Sequence, residues 1–247
     1  MAARLKIVVA YDGAPFAGWQ SQSHRNTIQD HLEGAFSRIF DAPLRVHGAG
    51  RTDAGVHALG QCAHIDLPDR RFSPDAVTRA VNALLPAAIR VWRSRYTNEN
   101  FHARYSAKGK QYRYRLWAAE ILPPFEFQRA WHVPRPLDYQ RLRSAAQRFV
   151  GTHDFAGFAA NRGKPETSTV RTIRSVRVGK KGALITVDFD GEGFLYKMVR
   201  LMIGAAVQCA EGKTSGAEIS RSLASASVIR GRHTAPPEGL FLLRIRY

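Results

Sequence analysis

One glycine-rich turn organises the first half of this sequence: Gly48-Ala49-Gly50-Arg51-Thr52-Asp53-Ala54-Gly55-Val56-His57-Ala58. It lies between two short runs with strand-like composition, Leu44–His47 and Gln61–Leu67. Such runs on both sides of a turn signal predict two strands that the turn joins. Three glycines within eight residues indicate a backbone with unusual φ and ψ angles, or the close approach of another segment.

Helix and strand signals alternate on either side of this turn. Before it, the pattern predicts a buried strand at Leu5–Ala10 and an amphipathic helix at Thr27–Phe40. After it, Ser73-Pro74 is typical of a helix start, Pro86 ends that helix, and Ile89–Tyr96 returns as a strand. The predicted order of the first half is therefore β-α-β-β-α-β.

The second half shows the same alternation with additional pieces. Its predicted strands and helices are Gln111–Trp117, the Leu137–Val150 helix, Val170–Val178, Ala183–Asp190, the Phe194–Ala210 helix and Leu240–Tyr247. We therefore predict an α+β fold of two ferredoxin-like (βαββαβ) halves, residues 1–106 and 107–247. These halves are expected to form a continuous, mainly antiparallel sheet with helices on one face.

The charge of the chain points to a polyanionic partner. Lys and Arg number 37 against 20 Asp and Glu, a net charge of +17, of which residues 107–247 carry +13 (24 basic minus 11 acidic). Such a surplus favours nucleic acid first and an anionic membrane surface second. Apolar runs all stay far below the ~20 residues that span a bilayer, and the start of the chain does not resemble a secretory signal. We expect a cytoplasmic protein that handles nucleic acid and has no membrane segment.

The glycine-rich turn also carries the strongest resemblance to a known family. By composition alone, Asp53-Ala54-Gly55 is typical of an ordinary turn. The whole string Gly50–Ala58, however, resembles the signature of the tRNA pseudouridine synthase A family. Other stretches resemble the same family in the same order: Tyr11-Asp12-Gly13 with Phe16–Gln20, Phe101–Arg104, Lys110–Tyr114, Val170–Ile173, Gly193–Arg200, and Thr234–Pro236 with Glu238–Leu240. The resemblance runs from about residue 5 to the C-terminus.

This resemblance implies an activity. The family's enzymes are isomerases that convert uridine to pseudouridine in the anticodon stem-loop of tRNA, at positions 38, 39 and 40, without a cofactor or a metal. The resemblance also implies a homodimer and a basic catalytic cleft between the two halves. Two alternatives stay open: a non-catalytic RNA-binding or RNA-chaperone protein, and a pseudouridine synthase that acts at other RNA positions.

By the resemblance, Asp53 is the catalytic nucleophile. Breaking an N-glycosidic bond creates oxocarbenium-like charge, which a carboxylate can stabilise or trap covalently. The residues leave three routes open: attack on ribose C1′, attack on C6 of the base, and proton abstraction through a glycal.

Three further side chains are assigned in the same way. The resemblance makes Arg51 a catalytic and substrate-binding residue that holds the opened backbone at the flipped uridine, whereas a surface arginine is the alternative. Tyr112 is expected to pack against the target base, unless it is a core tyrosine. Arg200 lies in the apolar run Met198–Ile203 and needs an anionic partner. The family picture supplies Asp53 as that partner, and snorkelling to the surface is the alternative.

The remaining predictions concern residues 108–117 and His57. In the Lys110–Trp117 strand the period of two puts Tyr112, Tyr114 and Leu116 on one face. Lys108, Lys110 and Arg113 lie in a basic stretch without acids and are predicted to contact tRNA. His57 is expected to act as a hydrogen-bonding residue of the turn rather than as a general base.

Overall fold

The structure is a computed structural model that describes residues 3–23, 26–160, 168–228, 231 and 233–247. These residues divide into two compact units, Met1–Lys108 with Phe241–Tyr247, and Gly109–Leu240. They form a mixed α+β protein with five α-helices and mostly antiparallel strand pairs. Within these ranges, every helix is too short or too polar to cross a bilayer.

The elements follow one another in this order: β1 (Ala3–Tyr11), α1 (Ile28–Phe40), β2 (Val46–Gly48), β3 (His57–Leu67), α2 (Pro74–Leu84), β4 (Ile89–Thr97), β5 (Gly109–Trp117), β6 (Trp131–His132), α3 (Tyr139–Gln147), β7 (Gly151–Asp154), β8 (Val170–Lys181), β9 (Leu184–Gly191), α4 (Met198–Ala210), α5 (Gly216–Ser225) and β10 (Leu240–Arg246).

The first unit has the predicted order β-α-β-β-α-β up to the end of β4. Its sheet runs β4-β1-β3, and β3 also pairs with β2 and β10. Local signals start both helices where the sequence predicts, because Thr27 caps α1 by accepting from the Asp30 amide and Ser73 caps α2 by accepting from the Ala76 amide. The buried faces of α1 and α2 include Leu32 and Val77, both less than 2% exposed.

The second unit has the sheet order β6-β5-β9-β8-β7, in which only the short β6 runs parallel to its neighbour. Both predicted helices are shorter than the sequence suggests. The first begins at Tyr139, because Asp138 caps it by accepting from the Arg141 amide. The second begins at Met198, because Lys197 has φ 57° and cannot extend a right-handed helix.

The final strand differs from the sequence expectation. The sequence assigned residues 107–247 to the second half, whereas residues 241–247 belong to the first unit. The reason is long-range pairing: Phe241 and Leu242 of β10 lie parallel to His57 and Ala58 of β3. Gly60 permits this approach, since a Cβ there would lie 2.5 Å from the Leu243 carbonyl oxygen.

Three histidines pack together in the first unit. The rings of His47 and His64 stack with centroids 4.9 Å apart, and His102 lies 4.7 Å from His64. The Nδ1 atom of His64 accepts from the Ala103 amide at 3.1 Å, which fixes the tautomer with its proton on Nε2. Burial, together with the charge of Arg4, lowers the pKa of His64 to about 4. His64 is therefore neutral in the folded protein at neutral pH.

We expect this histidine to make the protein less stable in mild acid. Because the pKa of His64 is lower in the folded state than in the unfolded chain, unfolding takes up a proton, and stability falls as the pH drops from about 6.5 toward 4. The loss between pH 7 and pH 5 is at most about 2 kcal/mol. Urea unfolding at both pH values measures it, and His64→Asn, which keeps an acceptor for the Ala103 amide, should lose less. An equal loss in wild type and variant would contradict this assignment.

Candidate active site

Asp53 begins a tight turn between β2 and β3. Its carbonyl accepts from the Val56 amide at 3.2 Å, and Gly55 at the third position has φ 76°. That conformation favours glycine, which explains the Asp53-Ala54-Gly55 sequence as a type II turn. The Asp53 carboxylate is half-buried. An ordinary turn and the role predicted for Asp53 are therefore compatible, since the turn leaves the side chain partly accessible.

The segment 11–20 packs directly on this turn and holds its backbone. The Trp19 amide donates to the Thr52 carbonyl at 3.1 Å. A Cβ on Gly18 would lie 2.7 Å from that same carbonyl oxygen, and a Cβ on Gly13 would lie 2.0 Å from the Val56 carbonyl oxygen. Both glycines are needed because backbone meets backbone here.

A hydrogen bond between two buried side chains holds the start of the turn. The Thr52 hydroxyl lies 2.8 Å from the Tyr11 hydroxyl, and both residues are buried. Burial raises the pKa of the Tyr11 phenol, so it stays neutral. The turn thus has a hydrogen-bonded anchor in the residue directly before Asp53.

His57 contacts the same segment. Its Nδ1 atom lies 3.0 Å from the Gly13 amide and 3.1 Å from Oδ1 of Asp12. We assign the neutral ring, in which Nδ1 accepts from Gly13, because the buried amide would otherwise lose its acceptor. The ring also stacks on Phe241 with centroids 4.5 Å apart. This geometry is that of a hydrogen-bonding residue of the turn.

Arg51 is exposed and oriented by a relay of two glutamines. Its Nε atom donates to Oε1 of Gln20 at 2.9 Å, and Nε2 of Gln20 donates to Oε1 of Gln29 at 2.7 Å. Gln29 is itself buried on α1. Gln20 thus holds the guanidinium through its Nε atom, and the residue as a whole is exposed. Sequence reasoning missed Gln20, although it lies in the quoted stretch Phe16–Gln20.

In the second unit, β5 shows the predicted alternation. Tyr112, Tyr114 and Leu116 are buried on one face, at 8%, 0% and 0% exposure. The Tyr112 ring meets Phe194 edge-on at 5.0 Å. The Tyr114 hydroxyl instead donates to the Pro236 carbonyl at 2.7 Å, which makes it a structural residue.

Arg200 is half-buried at the start of α4, between buried neighbours. Its Nε atom donates to the Ala235 carbonyl at 2.7 Å, and the Ala235 amide donates back to the Arg200 carbonyl at 3.1 Å. Gly204 allows this segment to lie close, since a Cβ there would be 1.9 Å from the His233 carbonyl oxygen. The Thr234–Pro236 stretch therefore orients the guanidinium.

The three predicted basic contacts differ in their surroundings. Lys108 is exposed, and Lys110 is half-buried at the start of β5. Arg113 forms a bidentate ion pair with Asp188, its register partner on β9, with both bonds at 2.7 Å. That bond raises the pKa of Arg113. Any phosphate at Arg113 has to share its guanidinium with this carboxylate.

Comparison with known proteins identifies the family. Residues 7–106 and 145–247 match the tRNA pseudouridine synthase family. The chain is 47% identical to tRNA pseudouridine synthase A of Akkermansia muciniphila over 251 residues, covering 99% of this chain and 95% of that relative. It is 41% identical to the enzymes of that name from Methylacidiphilum infernorum (98% and 94% covered) and Limosilactobacillus fermentum (99% and 96% covered). By this match over most of its length, which includes Asp53 and its turn, the chain belongs to the tRNA pseudouridine synthase family.

Proposed function

We propose that this isomerase forms pseudouridine at positions 38, 39 and 40, in the anticodon stem-loop of tRNA. Family membership supports the reaction and the tRNA substrate. The observation that carries the proposal is the position of the Asp53 carboxylate on a tight turn. Gly13 and Gly18 pack closely against the backbone of that turn and hold it in place. A binding protein has no need of a carboxylate at a phosphate-binding surface, because it repels the polyanion.

The reaction rearranges the uridine itself. The C1′–N1 bond of the uridine breaks, the uracil turns, and C1′ bonds to C5, while the C5 proton leaves and N1 gains a proton. Asp53 stabilises or traps the charge that develops on this path, by one of the three routes given above. Its fixed turn supplies the charge without reorganisation during the reaction. The product has the same atoms as the substrate apart from protons exchanged with solvent, so the reaction uses no oxidant and no energy source.

Access to the base requires that the uridine leave the stem. We propose that Arg51 holds a phosphate of the opened backbone with the guanidinium edge that Gln20 leaves free. Tyr112 packs against the extruded base beside Phe194, and Arg200, fixed by Ala235, acts as a further catalytic residue. These roles follow the family resemblance. Tyr112 is only 8% exposed, as a core tyrosine would be, so its role rests on the resemblance alone.

The rest of the assembly follows the same reasoning. Lys108 and Lys110 are proposed to neutralise tRNA phosphates, with Arg113 as a weaker contributor because of Asp188. We also propose two ferredoxin-like halves, supported in the first unit by the order β4-β1-β3 with β2 beside β3. A cytoplasmic homodimer completes the proposal.

The Gln20 relay makes a testable claim about Arg51. Gln20→Ala should lower kcat/KM for pseudouridine formation about 10-fold, because Arg51 then samples several rotamers before it meets the phosphate. Gln20→Glu keeps an acceptor for Arg51 and should retain more activity. Steady-state kinetics on a tRNA transcript, with circular dichroism to confirm folding, measures both. If both variants match wild type, Gln20 does not position Arg51.

One experiment tests the proposed function as a whole. Pseudouridines are mapped in the tRNA of a host that lacks its own enzyme, with and without this chain or its Asp53→Asn variant. We expect the wild-type chain alone to restore positions 38, 39 and 40. Restoration at other positions would indicate a synthase with a different site. No restoration, combined with tRNA binding, would indicate an RNA-binding or RNA-chaperone protein.

A further inference from the structure

The edge strand β4 of the first unit presents a tryptophan to solvent. Trp92 is 66% exposed, whereas Trp19 of the same unit is 2% exposed. β4 lies at the end of the strand order β4-β1-β3. Edge strands commonly carry charged residues, which keep other strands from pairing with their free backbone groups, but a large exposed aromatic ring works against that protection. Protection of the edge therefore does not explain Trp92.

Trp92 is the extra residue of a β-bulge. Val9 of β1 pairs with Val91, and the preceding residue of β1, Val8, pairs with Arg93, so Trp92 has no partner in the register. Bulges are frequent at sheet edges and next to active sites, where they change the direction of a side chain. The bulge therefore places Trp92 outside the regular packing of the sheet.

The bulge also sets the direction of two arginines. Ser94 faces α2, because its hydroxyl lies 2.7 Å from the Thr78 hydroxyl of that helix. Since side chains alternate along a strand, Arg93 and Arg95 lie on the face opposite to α2. Without the extra residue, the alternation that starts at buried Val91 would turn Arg93 toward α2.

A side chain of α2 holds the bulge in place. Nδ2 of Asn82 donates to the Val91 carbonyl at 2.8 Å, and the Val91 amide donates to Oδ1 of Asn82 at 2.8 Å. These two bonds satisfy both backbone groups of the residue directly before Trp92, as a neighbouring strand would. The backbone at Trp92 is therefore fixed in the free protein, which lowers the entropy cost of a contact made there.

The charge of β4 favours a polyanion. The strand contains three arginines and neither aspartate nor glutamate. Arg90 donates to carbonyls of the turn before β4, whereas Arg93 and Arg95 are exposed. Arg95 also lies opposite buried Lys6 in the register, and like charges at such a pair destabilise a sheet. A bound anion offsets that repulsion.

The register separates these arginines from the catalytic turn. Tyr11 of β1 pairs with Ala58 near the start of β3, and Lys6 of β1 pairs with Arg95. The five steps along β1 span about 17 Å, and two strand spacings add about 10 Å across the sheet. Arg95 therefore lies roughly 20 Å from Ala58. An RNA contact there involves nucleotides other than the extruded uridine.

We propose that Trp92, Arg93 and Arg95, here called the bulge surface, bind the tRNA substrate away from its target nucleotide. In this contact the indole stacks on an unpaired base, and the two guanidinium groups neutralise neighbouring phosphates. The inference rests on the proposed function for the identity of the RNA. It concerns affinity for that RNA and not the chemistry at Asp53.

Binding and kinetics of the full chain on a tRNA transcript test the proposal. Trp92→Leu keeps an apolar side chain but removes the ring, and should raise Kd and KM about 10-fold at an unchanged kcat. Trp92→Phe keeps an aromatic ring and should retain most of the affinity. Combined Arg93→Gln and Arg95→Gln should flatten the slope of log Kd against log salt by about 1.4–1.8, whereas Trp92→Leu should leave that slope unchanged.

Arg79→Gln is the matched control for the arginine substitutions. Arg79 is exposed on α2, which packs on the opposite face of β4. Its variant should bind tRNA with the affinity and the salt slope of wild type. Circular dichroism confirms the folding of every variant. The arginine and the tryptophan substitutions are independent, so either set tests the surface if the other fails to fold.

Other outcomes would overturn the inference. One is wild-type tRNA affinity in the folded Trp92→Leu variant and in the double arginine variant. Another is a Trp92→Leu variant that loses kcat at unchanged affinity, and a third is an equal loss of salt slope in Arg79→Gln. Asp53→Asn, assayed in parallel, should bind tRNA like wild type. If Asp53→Asn keeps full activity, the proposed function fails while the binding result for the bulge surface stands by itself.

Discussion

Asp53→Asn should abolish pseudouridine formation, by at least about 10³-fold in kcat, while the chain stays folded and binds tRNA nearly as before. Asparagine has the same size and can take part in the same turn, so only the negative charge is lost. Without that charge, neither stabilisation nor trapping of the developing positive charge is available. Tritium release from 5-tritiated uridine in tRNA measures the reaction, and filter binding measures the affinity.

A matched control separates charge from general damage. Asp138→Asn makes the same chemical change at an exposed cap of α3, where asparagine caps a helix as well as aspartate does. This variant should keep full activity. Tritium release by Asp53→Asn near the wild-type rate would remove Asp53 from the catalytic residues. A folded Asp53→Asn variant that has lost tRNA affinity would make Asp53 a recognition residue.

The second large effect is expected at Gly13, which never touches the substrate in the proposed mechanism. In Gly13→Ala the added Cβ would lie 2.0 Å from the Val56 carbonyl oxygen, a backbone atom of the Asp53–Val56 turn. The turn has to move away, and a displacement of about 1 Å at a catalytic group costs on the order of 10²-fold in rate. We also expect a stability loss of about 1–3 kcal/mol from overpacking. Activity at saturating tRNA and thermal unfolding measure the two effects.

Gly34→Ala is the control for this substitution. Gly34 lies on α1 in the same unit, and apart from its chain neighbours and the backbone of α1 itself, no atom of the described residues lies within 4 Å of its added Cβ. Alanine there should stabilise the helix by about 0.5–1 kcal/mol and leave the rate unchanged. Gly13→Ala with wild-type activity and stability would show that the 11–20 segment does not hold the turn.

Local signals in the sequence determined elements of both units. The Thr27 and Ser73 caps start α1 and α2 because each side chain satisfies an amide of its own first turn. The alternation of Tyr112, Tyr114 and Leu116 places them on one face of β5 because side chains alternate along any strand. These features depend on residues a few positions apart, so a single sequence contains the information.

The sequence alone identified the motif residues, but it did not identify the residues that hold them in position. The sequence singled out Asp53 and Arg51 through one contiguous string. It did not reveal that Gln20 orients Arg51, or that Gly13 meets the backbone at Val56. Those partners lie 31 and 43 residues apart along the chain, and no periodicity relates positions at that distance.

Tertiary structure alone decided the pairings over long distances. The basic stretch that includes Arg113 looks free of acids in sequence, yet Asp188 on β9, 75 residues further along the chain, forms an ion pair with Arg113. The sequence shows Arg200 as a charge within an apolar run, and the structure adds a hydrogen bond from its Nε to the Ala235 carbonyl, 35 residues further along the chain. β10 completes the pattern of the second half in sequence but pairs with β3 of the first unit. In each case the local sequence permits several partners, and the partner that is found depends on which strands and loops pack together, because hydrogen bonds and ion pairs form only at contact distance.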